Sequence, residues 1–206
     1  MGAVPWYRRK GFWNLPNIIT VVRIAVVPVM VVVLWSEPSR VEAMVAMAVF
    51  VAAMLSDVLD GYLARRWEIV SVAGAFLDPL ADKLMVATTM IMLVALGWLP
   101  AWICALIICR ELTITALRTV ALSEGLALPA DQLGKFKTAF QSTALGFMLW
   151  HYETTWFLWP ERTIDAHGAG MVLMYIAVAF TVLSGGNYLR NFFVHAADKE
   201  RAAGLR

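Results

Sequence analysis

Residues 56–83 read SDVLDGYLARRWEIVSVAGAFLDPLADK, and this stretch decides how the rest of the chain is interpreted. It carries four aspartates, Asp57, Asp60, Asp78 and Asp82, in two apolar segments on either side of a short polar link. Each pair is spaced by three or four residues and therefore shares one face if its segment is helical. Acidic residues are rare inside membranes and usually mark function there. The stretch predicts two helices that share one acidic site.

The composition is that of a membrane protein. Of the 206 residues, 61% are hydrophobic and only 16% are charged, whereas an ordinary soluble domain has about 25% charged residues. Cys104 and Cys109 lie in one apolar stretch without a CxxC pattern, so they are interpreted as core residues. We predict one membrane-embedded domain over residues 1–206, in which residues 1–12 are a cytoplasmic lead-in, and we expect no nucleic-acid partner.

Six apolar segments are long enough to span a bilayer, which takes about 20 residues in a helix. Glycine, proline and polar residues separate these segments. The sequence therefore predicts an all-α integral membrane protein with six transmembrane helices, over residues 15–35, 43–64, 75–96, 100–122, 134–152 and 168–193.

The basic residues are distributed unequally between the two sides that six spans create. Fifteen of the 17 Lys and Arg residues fall on the side of the two termini, and only Arg40 and Arg162 fall on the other. Basic residues mark the cytoplasmic side of a membrane, so both termini are predicted to be cytoplasmic. In this topology the second span ends and the third begins at the cytoplasmic side. The two acidic pairs should therefore lie at the same depth, near the cytoplasmic surface.

Four carboxylates brought together without cations would repel one another strongly. Hard divalent cations with oxygen ligands relieve this repulsion, and Mg²⁺ is the usual choice beside phosphates. Four aspartates suit two metal ions about 4 Å apart, an arrangement that serves phosphoryl chemistry. Asp78 alone could be a helix N-cap before Pro79, but capping does not explain four acids in register. The pattern predicts a site for two Mg²⁺ or Mn²⁺ ions.

The spacing of these acids and of the small residues among them resembles the signature of the CDP-alcohol phosphotransferase family. The matching positions are Asp57, Asp60, Gly61, Ala64, Arg65, Gly74, Asp78 and Asp82. The resemblance implies that all four aspartates hold the metal ions and that Asp82 is also the general base. It further implies a site for a CDP-activated lipid, formed by Asp57, Asp60, Gly61, Ala64, Arg65 and Gly74. The six-span pattern agrees with this family, so the resemblance covers nearly the whole chain.

Flanking segments resemble the branch of the family whose acceptor is sn-glycerol 3-phosphate. Residues 74–83 resemble the branch that makes phosphatidylglycerol phosphate or cardiolipin, whereas the glycerol 3-phosphate enzymes in particular are resembled at Arg110, Glu111, Arg118, residues 134–138 and Gln141. The branch that makes cardiolipin more often has Asn where Lys137 stands. The resemblance thus implies transfer of a phosphatidyl group from CDP-diacylglycerol to glycerol 3-phosphate, giving phosphatidylglycerol phosphate and CMP. It also implies a homodimer in the inner (plasma) membrane, surrounded by membrane lipid, with its active site on the cytoplasmic side.

A dianionic acceptor that approaches a diphosphate donor needs cations beside it. The candidates for binding its phosphate are Arg110, Arg118, Lys135, Lys137 and Arg23. Arg110 and Arg118 are eight residues apart and lie on roughly one helical face, whereas Lys135 and Lys137 are two apart and point differently. Anchoring at the cytoplasmic surface is the alternative for Lys135, and pairing with Glu111 is the alternative for Arg110.

Other interpretations stay open on the sequence alone. One keeps the family and changes the acceptor, to phosphatidylglycerol as in a cardiolipin synthase or to an inositol phosphate as in a phosphatidylinositol-phosphate synthase. Another is a cation transporter that uses the acids as its ion site. Such transporters usually have internal repeats or broken helices near the midplane, and we find neither pattern. A purely structural membrane protein would leave the four aspartates without a reason.

Overall fold

The structure is a computed structural model that describes residues 15–67, 72–125, 132–156, 159–202 and 204. Its elements, in chain order, are α1 (Leu15–Val33), α2 (Arg40–Trp67), α3 (Val72–Ala95), α4 (Ala101–Ser123), α5 (Gln132–Leu149), β1 (Thr154–Trp156), β2 (Trp159–Ile164) and α6 (Ala166–Ala202). The six predicted helices are confirmed, and α6 continues well past its predicted end at residue 193. The proposed lead-in over residues 1–12 lies outside the described residues.

A short β-hairpin joins α5 to α6. Strands β1 and β2 pair antiparallel, with Thr155 opposite Thr163. The described elements are therefore helical except at this connection, where the sequence does not indicate strands. A three-residue strand is too short to show an alternating pattern, and Pro160 within β2 argues against a strand when only the sequence is considered.

The connection between α3 and α4 is tight and depends on Gly97. Its φ is +74°, a backbone conformation that glycine adopts without steric cost. The N–H of Trp98 donates to the carbonyl of Leu93 at 2.8 Å, which closes the end of α3. Pro100 is extended, with φ −61° and ψ 129°, and α4 begins directly after it. Helices α3 and α4 thus lie side by side, so residues of α4 can reach the acids of α3.

The beginning of α2 is fixed by reciprocal hydrogen bonds between Ser39 and Glu42. The N–H of Ser39 donates to Glu42 Oε2 at 2.7 Å, and the N–H of Glu42 donates to Ser39 Oγ at 3.3 Å. This capping box supplies a partner to an N–H group that has none within the helix. The hydrogen bonds from Ser39 lower the pKa of the Glu42 carboxyl below its ordinary value.

The helices pack around one apolar core, with α1 against α2 and α3, and α5 most extensively against α6. Gly170 allows the last of these contacts, because a Cβ there would lie 2.7 Å from Met148 Cγ and 3.0 Å from the carbonyl oxygen of Ala144. Small residues commonly permit such close approach between membrane helices. The core includes Leu34, Phe50, Met85, Leu93, Ile103, Ile107, Leu145, Met148 and Met174.

Large apolar side chains also cover much of the outside of the molecule. Val32, Trp35, Phe76 and Leu122 are among the most exposed of them, and extensive apolar exposure is unusual for a soluble monomer. One described helix, over Ala166–Lys199, is long and apolar enough to cross a membrane, and Asn17–Val33 is a shorter apolar helix. The architecture is consistent with a membrane protein.

Candidate active site

Two of the predicted aspartates are bound by side chains of α1. Arg23 Nη1 donates to Asp57 Oδ1 at 2.5 Å, and Thr20 Oγ1 donates to Asp78 Oδ1 at 2.5 Å. Thr20 and Arg23 are both buried, and their spacing of three residues puts them on one face of α1. This face of α1 therefore holds one carboxylate of α2 and one of α3.

The ion pair of Arg23 is asymmetric in its burial. The Arg23 side chain is 0% exposed, whereas that of Asp57 is 39% exposed. A buried guanidinium needs a counter-ion, because an unpaired charge in an apolar surrounding is costly. Asp57 provides that counter-ion and keeps part of its carboxylate accessible. Arg23 does not line the basic cavity described below, so its predicted contact with the acceptor stays a prediction.

Asp82 differs from these two acids in having no partner. Within the described part of the chain, its carboxylate takes part in no hydrogen bond or ion pair. It lines a cavity of about 120 Å³ between α3, α4 and α5, together with Glu111 and Lys137. Of the three described aspartates of the signature, Asp82 is thus the one whose carboxylate has no hydrogen-bond partner among the described residues.

Glu111 of α4 joins three helices through two basic residues. Its Oε1 accepts from Lys137 Nζ at 2.6 Å and from Arg110 Nη1 at 3.0 Å. Lys137 belongs to α5 and is buried. Arg110 Nη2 also donates to Ser184 Oγ of α6 at 2.8 Å. The structure therefore shows Arg110 paired with Glu111, which the sequence analysis gave as the alternative to binding the acceptor phosphate.

A second cavity, of about 600 Å³, is basic. Arg110, Arg118 and Lys135 line it, and Tyr188 reaches it from α6. Arg118 and Lys135 are exposed, and neither is paired with an acid among the described residues. The volume lies within the usual range for small-ligand sites, roughly 300–1,000 Å³. This cavity can accept an anion the size of a small phosphate ester.

The basic cavity and the Asp82 cavity meet, because Glu111 and Thr138 line both. Lys137 lines the Asp82 cavity and Lys135 lines the basic cavity. The prediction that these two lysines point differently is confirmed. A ligand that spans the junction would have its anionic end among the cations and its other end toward Asp82.

The predicted CDP-lipid site is only partly described. Gly74 is buried in α3. The backbone of α2 includes Asp60, Gly61, Ala64 and Arg65, but their side chains lie outside what the structure describes. Their roles therefore stay predictions.

Sequence reasoning did not assign a site role to Thr20, Ser184 or Tyr188. The only signal for the last two is a run of small residues, Ser184 to Gly186, with a tyrosine shortly after it. Such a run is common wherever membrane helices pack closely. Neither residue could be assigned before α6 was placed against α4.

The acids have the right chemistry for divalent cations, which prefer carboxylate oxygens. Asp57, Asp78 and Asp82 supply such oxygens from two adjacent helices. Among the side chains that the structure describes, no three acids, histidines or cysteines are close enough to form a metal site. Asp60, the fourth acid of the predicted set, is not among these side chains. The donor set fits the metals that the family resemblance implies.

An apolar groove of about 340 Å³ runs between α2 and α5. Phe50, Leu55, Phe147 and Trp150 are among the residues that line it. Ser142 lines both this groove and the Asp82 cavity, so the groove reaches the charged site.

Comparison with known proteins identifies the class to which this fold and site belong. The family model for CDP-alcohol phosphatidyltransferase matches residues 13–183. The chain belongs to this family, whose members are membrane-associated transferases of phospholipid synthesis. The resemblance inferred from the acidic signature is confirmed.

Relatives within the family point to one branch. A CDP-diacylglycerol–glycerol-3-phosphate 3-phosphatidyltransferase of Bacillus subtilis (strain 168) is 37% identical over 187 residues, covering 85% of this chain and 93% of the relative. A protein of the same name from Pectobacterium atrosepticum is 36% identical, covering 86% and 93%. A Mycobacterium tuberculosis protein named "Probable phosphatidylglycerophosphate synthase" is 37% identical, covering 88% and 82%.

Proposed function

We propose that this chain transfers the phosphatidyl group of CDP-diacylglycerol to sn-glycerol 3-phosphate, giving phosphatidylglycerol phosphate and CMP. The observation that carries the proposal is the junction at Glu111 and Thr138, where the cavity of the unpaired Asp82 meets the basic cavity. The names of the relatives supply the two substrates. A carboxylate next to a cationic pocket is what a phosphorylated acceptor with a reactive hydroxyl requires.

The acceptor phosphate binds in the basic cavity, where Arg118 and Lys135 have no acidic partner among the described residues. Charge-assisted hydrogen bonds to phosphate are stronger than neutral ones. With the phosphate held there, the free end of the glycerol extends past Glu111 and Thr138 toward Asp82. This orientation places the acceptor hydroxyl beside a carboxylate that can accept its proton.

In the transfer step, Asp82 takes the proton of the acceptor hydroxyl. The hydroxyl oxygen forms a bond to the phosphorus of the lipid-side phosphate. The bond from that phosphorus to the bridging oxygen breaks, and CMP leaves with the electron pair. An aspartate is a weak base at neutral pH, so its effect depends on position and on a hydroxyl made more acidic.

Two divalent ions, Mg²⁺ or Mn²⁺, would be held by Asp57, Asp60, Asp78 and Asp82. Such ions, when bound, neutralise charge on the diphosphate and lower the pKa of a nearby hydroxyl. Arg23 and Thr20 hold Asp57 and Asp78 in place from α1. Chelation should abolish CMP release and added Mg²⁺ or Mn²⁺ should restore it, whereas full activity in excess chelator would remove the metals from the proposal.

The CDP head group of the donor lies along Gly61, Ala64, Arg65 and Gly74, and its acyl chains extend along the apolar groove between α2 and α5. All six helices span the inner (plasma) membrane, with both termini and the site on the cytoplasmic side. The excess of basic residues on that side supports this orientation. A C-terminal reporter that is active only in the cytoplasm tests it.

The proposal is tested by offering purified protein CDP-diacylglycerol and a panel of acceptors. Glycerol 3-phosphate should support CMP release, whereas phosphatidylglycerol and inositol 1-phosphate should not. Release with phosphatidylglycerol alone would make the chain a cardiolipin synthase. The basic cavity favours glycerol 3-phosphate over phosphatidylglycerol, because a phosphate monoester carries more charge than a diester. The expectation for inositol 1-phosphate follows from the names of the relatives.

A further inference from the structure

Helix α6 forms a wall of the basic cavity and holds one of its cations. Ser184 is fully buried and accepts a hydrogen bond from Arg110 Nη2 at 2.8 Å. Beside it, a Cβ on Gly185 would lie 3.3 Å from Arg110 Cγ. The serine and the glycine together let Arg110 lie directly against α6. The direction of this guanidinium is therefore set by α6 as well as by Glu111.

Tyr188 lies one turn after Ser184 on the same face of α6. It is 7% exposed and lines the basic cavity. Its hydroxyl has no hydrogen-bond partner in the part of the chain that the structure describes. The hydroxyl oxygen is not among the described side-chain atoms that are both buried and unpaired, so it is accessible to a ligand in that cavity.

The chemistry of the cavity indicates what that ligand is. Arginine and lysine side chains only donate hydrogen bonds, so Arg110, Arg118 and Lys135 cannot accept the phenolic proton. Glu111 and Thr138 also line the cavity, but their hydrogen bonds go to other residues. The same three cations attract an anion, and an anionic oxygen is a strong acceptor. A bound phosphate would therefore satisfy the cations and the tyrosine at once.

We propose that Tyr188 is a specificity residue for the acceptor, whose hydroxyl donates a hydrogen bond to the acceptor's phosphate group. Ser184 is a positioning residue that acts through Arg110. The inference rests on the proposed function and extends it, because it adds α6 to a phosphate site otherwise formed by α4 and α5. The phosphate is then held from three helices, which selects a small phosphate monoester over an uncharged polyol.

The test is Tyr188→Phe, which removes one hydroxyl and keeps the ring. Loss of a hydrogen bond to a charged group should raise the KM for glycerol 3-phosphate roughly ten- to hundredfold. Inhibition by inorganic phosphate should weaken by a similar factor, and the KM for CDP-diacylglycerol should stay unchanged. Ser184→Ala should raise the KM for glycerol 3-phosphate by a smaller factor, because it loosens Arg110 without removing a ligand contact.

Tyr175→Phe is the matched control. Tyr175 also belongs to α6, but it is 50% exposed and packs near Trp102, away from the basic cavity. This variant should keep the wild-type constants. If Tyr188 had only a packing role, Tyr188→Phe would instead lower the thermal stability and kcat without a selective change in the KM for glycerol 3-phosphate.

Failure of this inference can be told apart from failure of the proposed function. If the wild-type protein releases no CMP with glycerol 3-phosphate, the proposed function is wrong. If the wild type is active and Tyr188→Phe leaves both the KM for glycerol 3-phosphate and the inhibition by phosphate unchanged, Tyr188 has no part in binding the acceptor.

Discussion

Lys137 donates from Nζ to Glu111 Oε1 at 2.6 Å and thereby joins α5 to α4 where the two cavities meet. The lysine side chain is 5% exposed and the glutamate side chain 29% exposed. The same oxygen of Glu111 accepts from Arg110. One carboxylate thus balances two cations and fixes their positions relative to each other.

Glu111→Gln should weaken both the fold and the binding of the acceptor. The variant removes the carboxylate that is ion-paired with the buried Lys137, although the amide can still accept one hydrogen bond. We expect a loss of about 1–3 kcal/mol of stability and a higher KM for glycerol 3-phosphate. Thermal unfolding and initial-rate kinetics measure the two effects. The control is Glu124→Gln. Glu124 pairs with Lys199 at an exposed site, so little change is expected there. Equal effects in the two variants would contradict the role of Glu111.

Arg23→Met should lower kcat without a selective effect on the acceptor. The variant removes a fully buried charge that binds Asp57, so Asp57 would no longer be held in position. The yield of folded protein should fall too. Arg23→Lys should keep part of the kcat and part of the yield, because it keeps the charge. A rise in the KM for glycerol 3-phosphate at unchanged kcat would instead place Arg23 in the acceptor site.

Asp82→Asn should lower kcat at least about a hundredfold, the lower end of what a general base contributes. The amide keeps the shape of the side chain and one oxygen but cannot take the proton. The KM for CDP-diacylglycerol should change little. Asp165→Asn is the control, because Asp165 is exposed and accepts from the N–H of Gly168 at the start of α6. Near-normal turnover in Asp82→Asn would show that another group is the base.

Arg118→Ala should raise the KM for glycerol 3-phosphate roughly ten- to hundredfold through loss of a charge-assisted contact. The KM for the CDP-lipid should change far less, because its site is assigned to α2 and α3. If Arg118 only anchored the chain, Arg118→Ala would instead lower the amount of protein inserted into the membrane. Arg190→Ala, at an exposed position of α6, is the comparison. Unchanged acceptor kinetics in Arg118→Ala would reopen the question of which acceptor is used.

The sequence predicts the helices and the acids well, because both depend on local patterns. Each helix corresponds to one long apolar run, and the acid pairs follow from helical spacing. The divergence of Lys135 and Lys137 follows from the same geometry. These features need no knowledge of which helices are neighbours.

The contacts between helices are what the sequence does not reveal. Arg23 and Asp57 are 34 residues apart, and Thr20 and Asp78 are 58 apart. Both pairs form only because α1 packs against α2 and α3. Ser184 likewise reaches Arg110 across 74 residues. Its neighbour Tyr188 therefore becomes a candidate only once the basic cavity is assembled.

The most direct measurement follows the acceptor into the product. Purified protein is given CDP-diacylglycerol and glycerol 3-phosphate labelled in its carbons, and both CMP and label in extracted lipid are quantified. If the chain carries out the proposed transfer, one label is incorporated into lipid for each CMP released, and neither product forms when either substrate is omitted. Release of CMP in the absence of glycerol 3-phosphate, or without label in the lipid, would contradict it.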